Sequence, residues 1–278
     1  MISNLVITQL VENTAGGPGL LAEHGVAFLI EADEHHLLFD TGQGMALAHN
    51  VTKLAVRMDT VEAIILSHGH YDHAGGLEAA LALTGAVDLY LHPAALEAKF
   101  NRNGQEIGAG VADVKRLASL TSAIRYTPSP TEILPGIHVT GEIPRLHTIE
   151  DTGGPFYRDS GCARQDNLPD DQALVIETTL GLVVLLGCGH SGVANTLDAA
   201  MQMTGAQTVH AVIGGMHLLR SGHERLIFTG HALQSVGIQY LAPNHCTGLE
   251  AVCYFRNRFA EAFHQSPVGT THRFRKRQ

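Results

Sequence analysis

Short apolar runs broken by glycine, proline and aspartate recur along the chain, and between them lie longer stretches with apolar residues at helical spacing. The runs at 5–10, 26–31, 36–39, 61–67 and 87–91 predict strands, while 45–56 and 76–83 predict helices. The rhythm resumes after residue 172. Strands are expected at 173–177 and 182–186 across a turn at Thr179-Leu180-Gly181, followed by a helix at 193–203 and a strand at 209–213. A helix at 224–236, a strand at 238–241 and a last helix at 251–263 complete the series. That last helix carries Phe255, Phe259 and Phe263 on one face, a stripe expected in the core.

Residues 145–171 break the pattern. They are rich in Gly, Pro, Asp and Arg and have no clear period. A loop this long is usually functional or mobile, so it is expected to cover a site or to contact a partner subunit. The formal charge of −9 argues against a general nucleic-acid binder. The one basic run, Arg273-Phe274-Arg275-Lys276-Arg277, lies beside the C-terminus and is expected to be a solvated, frayed tail. No apolar stretch approaches the ~20 residues of a membrane span. The first residues carry no basic leader segment and read directly as a strand. The four cysteines form no C-x-x-C pair, which points to reduced thiols and a cytoplasmic protein.

The chemistry concentrates where strands end. His68-Gly69-His70-Tyr71-Asp72-His73 follows the strand at 61–67 and precedes Gly75-Gly76. With 18 histidines in the chain, a lone H-x-H pair would mean little, but H-x-H-x-D-H at a strand end is specific. In an extended segment His68 and His70 face one side and can reach one ion. Asp72 and His73, where the chain turns, can face a second.

Other strand ends repeat the arrangement. Gly187-Cys188-Gly189-His190 makes His190 a candidate ligand, and Cys188 either a thiolate ligand or a packed small residue. Pro243-Asn244-His245-Cys246-Thr247-Gly248 makes His245 another candidate ligand. His217, after Ile213-Gly214-Gly215-Met216, reads as a substrate-binding or proton-transfer group, or as a packed histidine. Asp40, in Phe39-Asp40-Thr41-Gly42, either supports a metal-bound imidazole or caps a turn.

Together these residues resemble the metallo-β-lactamase superfamily. The resemblance implies an α/β chain forming a single domain over 1–278: an αββα sandwich of two mixed sheets face to face, with helices outside and a dinuclear metal site at one edge. Val11-Glu12-Asn13, Glu23-His24-Gly25, Leu38-Phe39-Asp40-Thr41-Gly42, Gly187-Cys188-Gly189-His190, Ile213-Gly214-Gly215-Met216-His217 and His245-Cys246-Thr247-Gly248 further resemble the dihydropterin-6-yl-methyl-ribofuranosylaminobenzene-phosphate synthase-like branch. The superfamily usually has a G-H-T-x-G turn and a bridging aspartate. Here Cys188 stands at the latter's strand end, and His147 has the turn's place in chain order without its glycines. The implied sites are therefore His68, His70 and His190 for one ion, and Asp72, His73 and His245 for the other. A Cys188 thiolate is available as a bridge.

The activity this resemblance implies is metal-dependent hydrolysis. A divalent ion lowers the pKa of its water from ~15.7 to ~7, which supplies hydroxide at neutral pH. Asp72 would orient that nucleophile, and His217 would donate a proton or bind an anionic oxygen. Two Zn2+ ions suit the ligands, with Fe, Mn or Ni as alternatives. Small phosphodiesters or phosphotriesters are the expected substrates, then lactones and other esters, with no nucleic-acid or membrane partner and a homodimer left open. The rivals are a pterin-forming transferase joining a dihydropterin pyrophosphate to an arylamine, and a binding protein that has lost turnover.

Overall fold

The computed structural model describes residues 1–109 and 114–275. Its strands are β1 (Asn4–Val11), β2 (Ala27–Ala32), β3 (His35–Phe39), β4 (Ala63–Ile65), β5 (Asp88–Leu91), β6 (Phe100–Asn101), β7 (Ala123–Tyr126) and β8 (Thr131–Leu134). They continue as β9 (Ile137–Val139), β10 (Phe156–Tyr157), β11 (Leu174–Thr178), β12 (Gly181–Leu186), β13 (Val209–Gly215), β14 (Tyr240–Asn244) and β15 (Thr271–Arg275). One sheet has the order β15-β1-β2-β3-β4-β5-β7, the other β14-β13-β12-β11-β9-β8, and β10 and β6 form a small separate pair.

Alternation along each strand explains the layers. Leu5, Ile7, Phe28, Ile30, Leu37 and Phe39 from the first sheet meet Leu174, Ile176, Val183, Leu185 and Ile213 from the second in one buried cluster. The intervening residues point outward and are also covered. Leu10, Leu29, Leu38 and Ile64 pack under helices α1 (Leu47–Leu54), α2 (Tyr71–Ala74), α3 (Leu77–Thr84) and α4 (Val114–Leu120). Val184 and Leu186 pack under α5 (Val193–Thr204), α6 (His223–Ser235) and α7 (Leu249–Phe259). Sheets buried on both faces need apolar residues at every position, which is why these strands read as continuous runs. The result is the αββα sandwich.

Strands β3-β4-β5-β7 are parallel, as are β12-β13-β14. Their carboxyl ends therefore gather at one edge of the sandwich, where open α/β sheets place ligand crevices. Asp40, His68, Cys188, His217 and His245 all follow such ends.

Three expectations need correction. The strand expected at 61–67 shortens to Ala63–Ile65, because 66–70 leaves the sheet toward the site. The last helix ends at Phe259; of its aromatic stripe Phe255 is fully buried, and Phe263 follows a 3-10 turn at Ala260–Ala262. The basic tail is not frayed where it is described. Residues Thr271–Arg275 pair antiparallel with β1, Phe274 opposite Leu5 enters the core, and Arg273 and Arg275 face out along the edge. Charged outward positions discourage further pairing there; Lys276 and Arg277 lie outside the described residues. Short elements between 92 and 140, half exposed as in β7 and β8, gave no apolar run to read. Among the described residues no helix is long and apolar enough to cross a membrane.

Candidate metal centre

Two groups of donor atoms meet at the strand-end edge. Ligand atoms of Asp72, His73, Cys188 and His245 lie within 4.8 Å of one another, and so do those of His68, Cys188 and His190. Cys188 belongs to both. His70 joins the second group through its Nδ1, 3.0 Å from His68 Nε2. All of the residues proposed as ligands from the sequence are thus brought together, and His147 is not. It pairs with Asp198 at 2.8 Å and packs on Phe228.

His73, His245 and His190 each meet an acceptor through Nδ1, whereas buried His70 Nε2 has no hydrogen-bond partner. Asp40 Oδ2 accepts from His73 Nδ1 at 2.7 Å, Asn13 Oδ1 from His245 Nδ1 at 2.9 Å, and the Thr152 carbonyl from His190 Nδ1 at 2.8 Å. Ser67 Oγ gives its proton to Asp40 Oδ2 at 2.6 Å and lies 2.9 Å from His68 Nδ1. The near nitrogens of the neutral rings, His68, His190 and His245, consequently present lone pairs toward the interior. His73 Nε2 faces His245 Nε2 at 3.2 Å and Cys188 Sγ at 3.1 Å, and buried His190 Nε2 has no hydrogen-bond partner. Ligand atoms that converge in this way, with buried His190 Nε2 left unpartnered, fit a cation, and the nitrogen, oxygen and sulphur set suits zinc.

Charge tells the same story. Burial pushes the pKa of His70 and His245 down to about 4 and that of His68 and His190 well below the usual histidine value. Burial also works against charge on His73, but Asp72 and Asp40 outweigh it and raise its pKa to about 9. Burial opposes ionisation of Asp72 too, yet His73, His24 and His245 hold its carboxyl well below the usual range. The Cys188 thiol is pushed far up by burial and by Cys246. A thiolate at this position requires a neighbouring cation.

The cluster floors a cavity of about 630 Å³. The 145–171 segment forms part of its wall: Gly153, Gly154 and Phe156 line it, and the Phe156 ring sits 5.1 Å from His70 and 5.2 Å from His190. His217 also lines the cavity, its ring 4.3 Å from His190. Burial drops its pKa to about 3, so at neutral pH it is an uncharged imidazole. His217 (φ 43°) and His245 (φ 50°) occupy the left-handed backbone region, uncommon for histidine and frequent where a site fixes a side chain.

The sequence profile of the metallo-beta-lactamase superfamily matches residues 21–161. A curated relative from Methanocaldococcus jannaschii, named 7,8-dihydropterin-6-methyl-4-(beta-D-ribofuranosyl)-aminobenzene-5'-phosphate synthase, is 30% identical over 98% of both chains. The chain belongs to the metallo-beta-lactamase superfamily. The solved structure of Tm1679, described as a metal-dependent hydrolase of the beta-lactamase superfamily, superposes with a TM-score of 0.83 at 28% identity, covering 98% of this chain and 100% of that one. Zn(2+)-bound PqqB from Methylobacterium extorquens, at 15% identity and a TM-score of 0.58 over 96% and 99% of the chains, shares the fold.

Within this superfamily framework, two short motifs acquire physical reasons. In Val11-Glu12-Asn13, Glu12 Oε1 accepts the His245 backbone N–H at 2.8 Å while Asn13 holds the ring. In Glu23-His24-Gly25, Glu23 accepts the backbone N–H groups of Gln43, Met45 and Ala46, and His24 Nε2 lies 3.2 Å from Asp72 Oδ2. Gly25 has no room for a Cβ, which would sit 2.5 Å from the Asp72 carbonyl oxygen. His24, Asn13 and Glu12 were legible only as motif letters, since their partners lie far away in sequence. Phe156, Lys99 and Asp170 gave no signal.

Proposed function

We propose that this chain is a dinuclear metal-dependent enzyme that cleaves small phosphoesters by hydrolysis. The observation that carries the reading is Cys188 Sγ shared by two donor groups on the floor of a cavity large enough for a small molecule. His68, His70 and His190 would hold one divalent ion, Asp72, His73 and His245 the other, with Cys188 between them. Bound there, the ions would supply Lewis acidity toward a phosphoryl oxygen.

The chain's own residues do the rest. Asp40 and Ser67 fix the rings of His73 and His68, and Asn13 fixes His245. Asp72, 3.3 Å from His245 Nε2 and 3.2 Å from His24 Nε2, keeps a carboxylate at the floor. His217, uncharged at neutral pH, binds an anionic oxygen through its N–H rather than delivering a proton. Phe156 closes one side against water.

The relative named as a synthase supports a second reading, in which an arylamine displaces pyrophosphate from a dihydropterin pyrophosphate on the same floor. Zinc-loaded protein assayed on aryl phosphodiesters, phosphotriesters and lactones separates the two. Turnover of a phosphoester supports hydrolysis. Amine-dependent pyrophosphate release from the dihydropterin substrate, with the ester panel at background, replaces it with the transferase. Background on both removes catalysis.

A further inference from the structure

Two exposed arginines, from segments distant in sequence, line the same cavity. Arg102 belongs to the turn between β6 and the chain leading to Gln105. Asn101 Oδ1 accepts the N–H groups of Asn103 at 2.9 Å and Gln105 at 3.2 Å, and the Gly104 N–H closes the turn on the Asn101 carbonyl at 2.9 Å. Gly104 (φ 71°) backs onto Ser160, where a Cβ would come 2.3 Å from its carbonyl oxygen, so the turn is pressed against the 145–171 segment. Arg220 sits three residues beyond His217, in a turn where the Leu218 carbonyl accepts both the N–H and the hydroxyl of Ser221, at 3.0 and 2.9 Å. Both residues line the cavity and are exposed, and neither guanidinium group makes a hydrogen bond or ion pair with any described residue.

The charge around them is unusual for this chain. Acidic residues outnumber basic ones, 27 to 18, yet among the described residues lining the cavity Asp72 is the one carboxylate, and it is engaged with His24 and His245 at the floor. Nearby Arg225, by contrast, is paired with Asp151. Arginines left unpaired on backbone-fixed turns are placed to fork onto a planar or tetrahedral anion. The wall between rim and floor offers Phe156 and half-exposed Tyr71, flat surfaces suited to a ring.

We propose that Arg102 and Arg220 form a second anion subsite, which selects substrates carrying a phosphate or carboxylate at the end remote from the reacting bond. This rests on the reading of the floor as the place where a phosphoryl group binds. It narrows the substrate class to bis-anionic molecules with an aromatic or similarly flat middle.

The test uses zinc-loaded full-length protein and inert phosphonates, measured by calorimetry: phenylphosphonate, 4-carboxyphenylphosphonate, 1,4-phenylenediphosphonate and the longer 4'-carboxybiphenyl-4-phosphonate. At least one bis-anion is expected to bind wild type about tenfold tighter than phenylphosphonate, the gain of one or two charge-assisted hydrogen bonds. In the Arg102→Ala/Arg220→Ala double variant that preference falls to about twofold or less while phenylphosphonate binding is kept, and about 0.5 M salt reduces it in wild type. A larger gain from the diphosphonate assigns a remote phosphate, and an equal gain from the carboxylates a remote carboxylate. If phenylphosphonate binds but no bis-anion binds better, or the preference survives in the double variant, the subsite is overturned and the floor reading stands. If phenylphosphonate itself does not bind, both fall.

Discussion

Asp170 accepts the backbone N–H of Gly69 at 2.8 Å with one carboxylate oxygen and takes Lys99 Nζ at 2.8 Å with the other. All of this is buried, and Asp166 lies 3.1 Å from the same ammonium. Gly69 is the residue between His68 and His70, so the peptide carrying both imidazoles is clamped from behind. The carboxylates of the clamp come from the 145–171 segment, whose Gly153, Gly154 and Phe156 also line the cavity. Asp170→Ala leaves Gly69 without its acceptor and Lys99 with half its countercharge. Zinc affinity is expected to drop about 10–100-fold, with about 3–5 kcal/mol lost from folding. Chelator competition and urea unfolding read the two separately. Wild-type zinc affinity in a folded variant would show that the clamp does not position the ligands.

Cys188 is the position at which the two halves of the centre meet. Removing its sulphur leaves one half with three imidazole nitrogens and the other with two imidazoles and the Asp72 carboxylate, but nothing shared. For Cys188→Ala the expected metal content falls from about two ions per chain toward one, while Cys188→Asp retains two, since a carboxylate also bridges. Native mass spectrometry after zinc loading reads this directly. Two ions in the alanine variant would make Cys188 a packing residue.

Much of this was open to a reader of the sequence, for a physical reason. Parallel strands buried on both faces must be apolar throughout, so β4, β12 and β13 stood out, and the polar residues that follow such strands marked the site edge. Asp40, His68, His190 and His245 were singled out as candidates that way. What stayed hidden depends on contacts distant along the chain. Nothing local to Lys99 announces that Asp166 and Asp170 will enclose it, and His24 meets Asp72 only because Gly25 permits close approach of the two segments. The basic tail misled for a related reason: charge at alternate positions looks the same in a solvated tail and in an edge strand anchored by its inward residues, His272 and Phe274.

Gly187 tests how tightly the supports are packed. A Cβ built there meets Ser67 Oγ at 2.0 Å and Asp40 Oδ2 at 2.9 Å, the very atoms that orient His68 and His73. Neither can retreat, because Asp40 is held by the Ser67 N–H at 2.7 Å and by His73. Gly187→Ala is expected to cost about 1–3 kcal/mol, a fall in Tm of about 2–4 °C per kcal/mol. It should weaken zinc binding as well. Gly17→Ala, in a loop outside the left-handed backbone region and with only Leu20 Cδ1 near, at 3.9 Å, is the control for glycine loss itself. If both variants melt alike and bind zinc alike, the Ser67–Asp40 support is not strained by the added methyl.

The metal-free protein should be most stable near pH 6.5. Burial lowers His70, His245 and His272 to about 4 and His217 to about 3. In the unfolded chain these groups titrate near 6.5. Above that pH neither state holds the proton; as pH falls below it the unfolded state gains protons first, and stability is lost until the folded values near 4 are reached. His73 acts in the opposite sense. Its pKa of about 9 gives stability that is complete below 6.5 and is lost as pH rises through 9. His68 and His190, also held well below the usual histidine value, act in the same direction as these four, so the acid limb is the steeper, on the order of several kcal/mol between pH 6.5 and 5. Thermal melts of chelator-treated protein across pH 5–9 check the shape, and a Tm constant from 6.5 to 5 would contradict it. Zinc should raise Tm most on the alkaline side, since the bound ion replaces the proton that His73 otherwise carries.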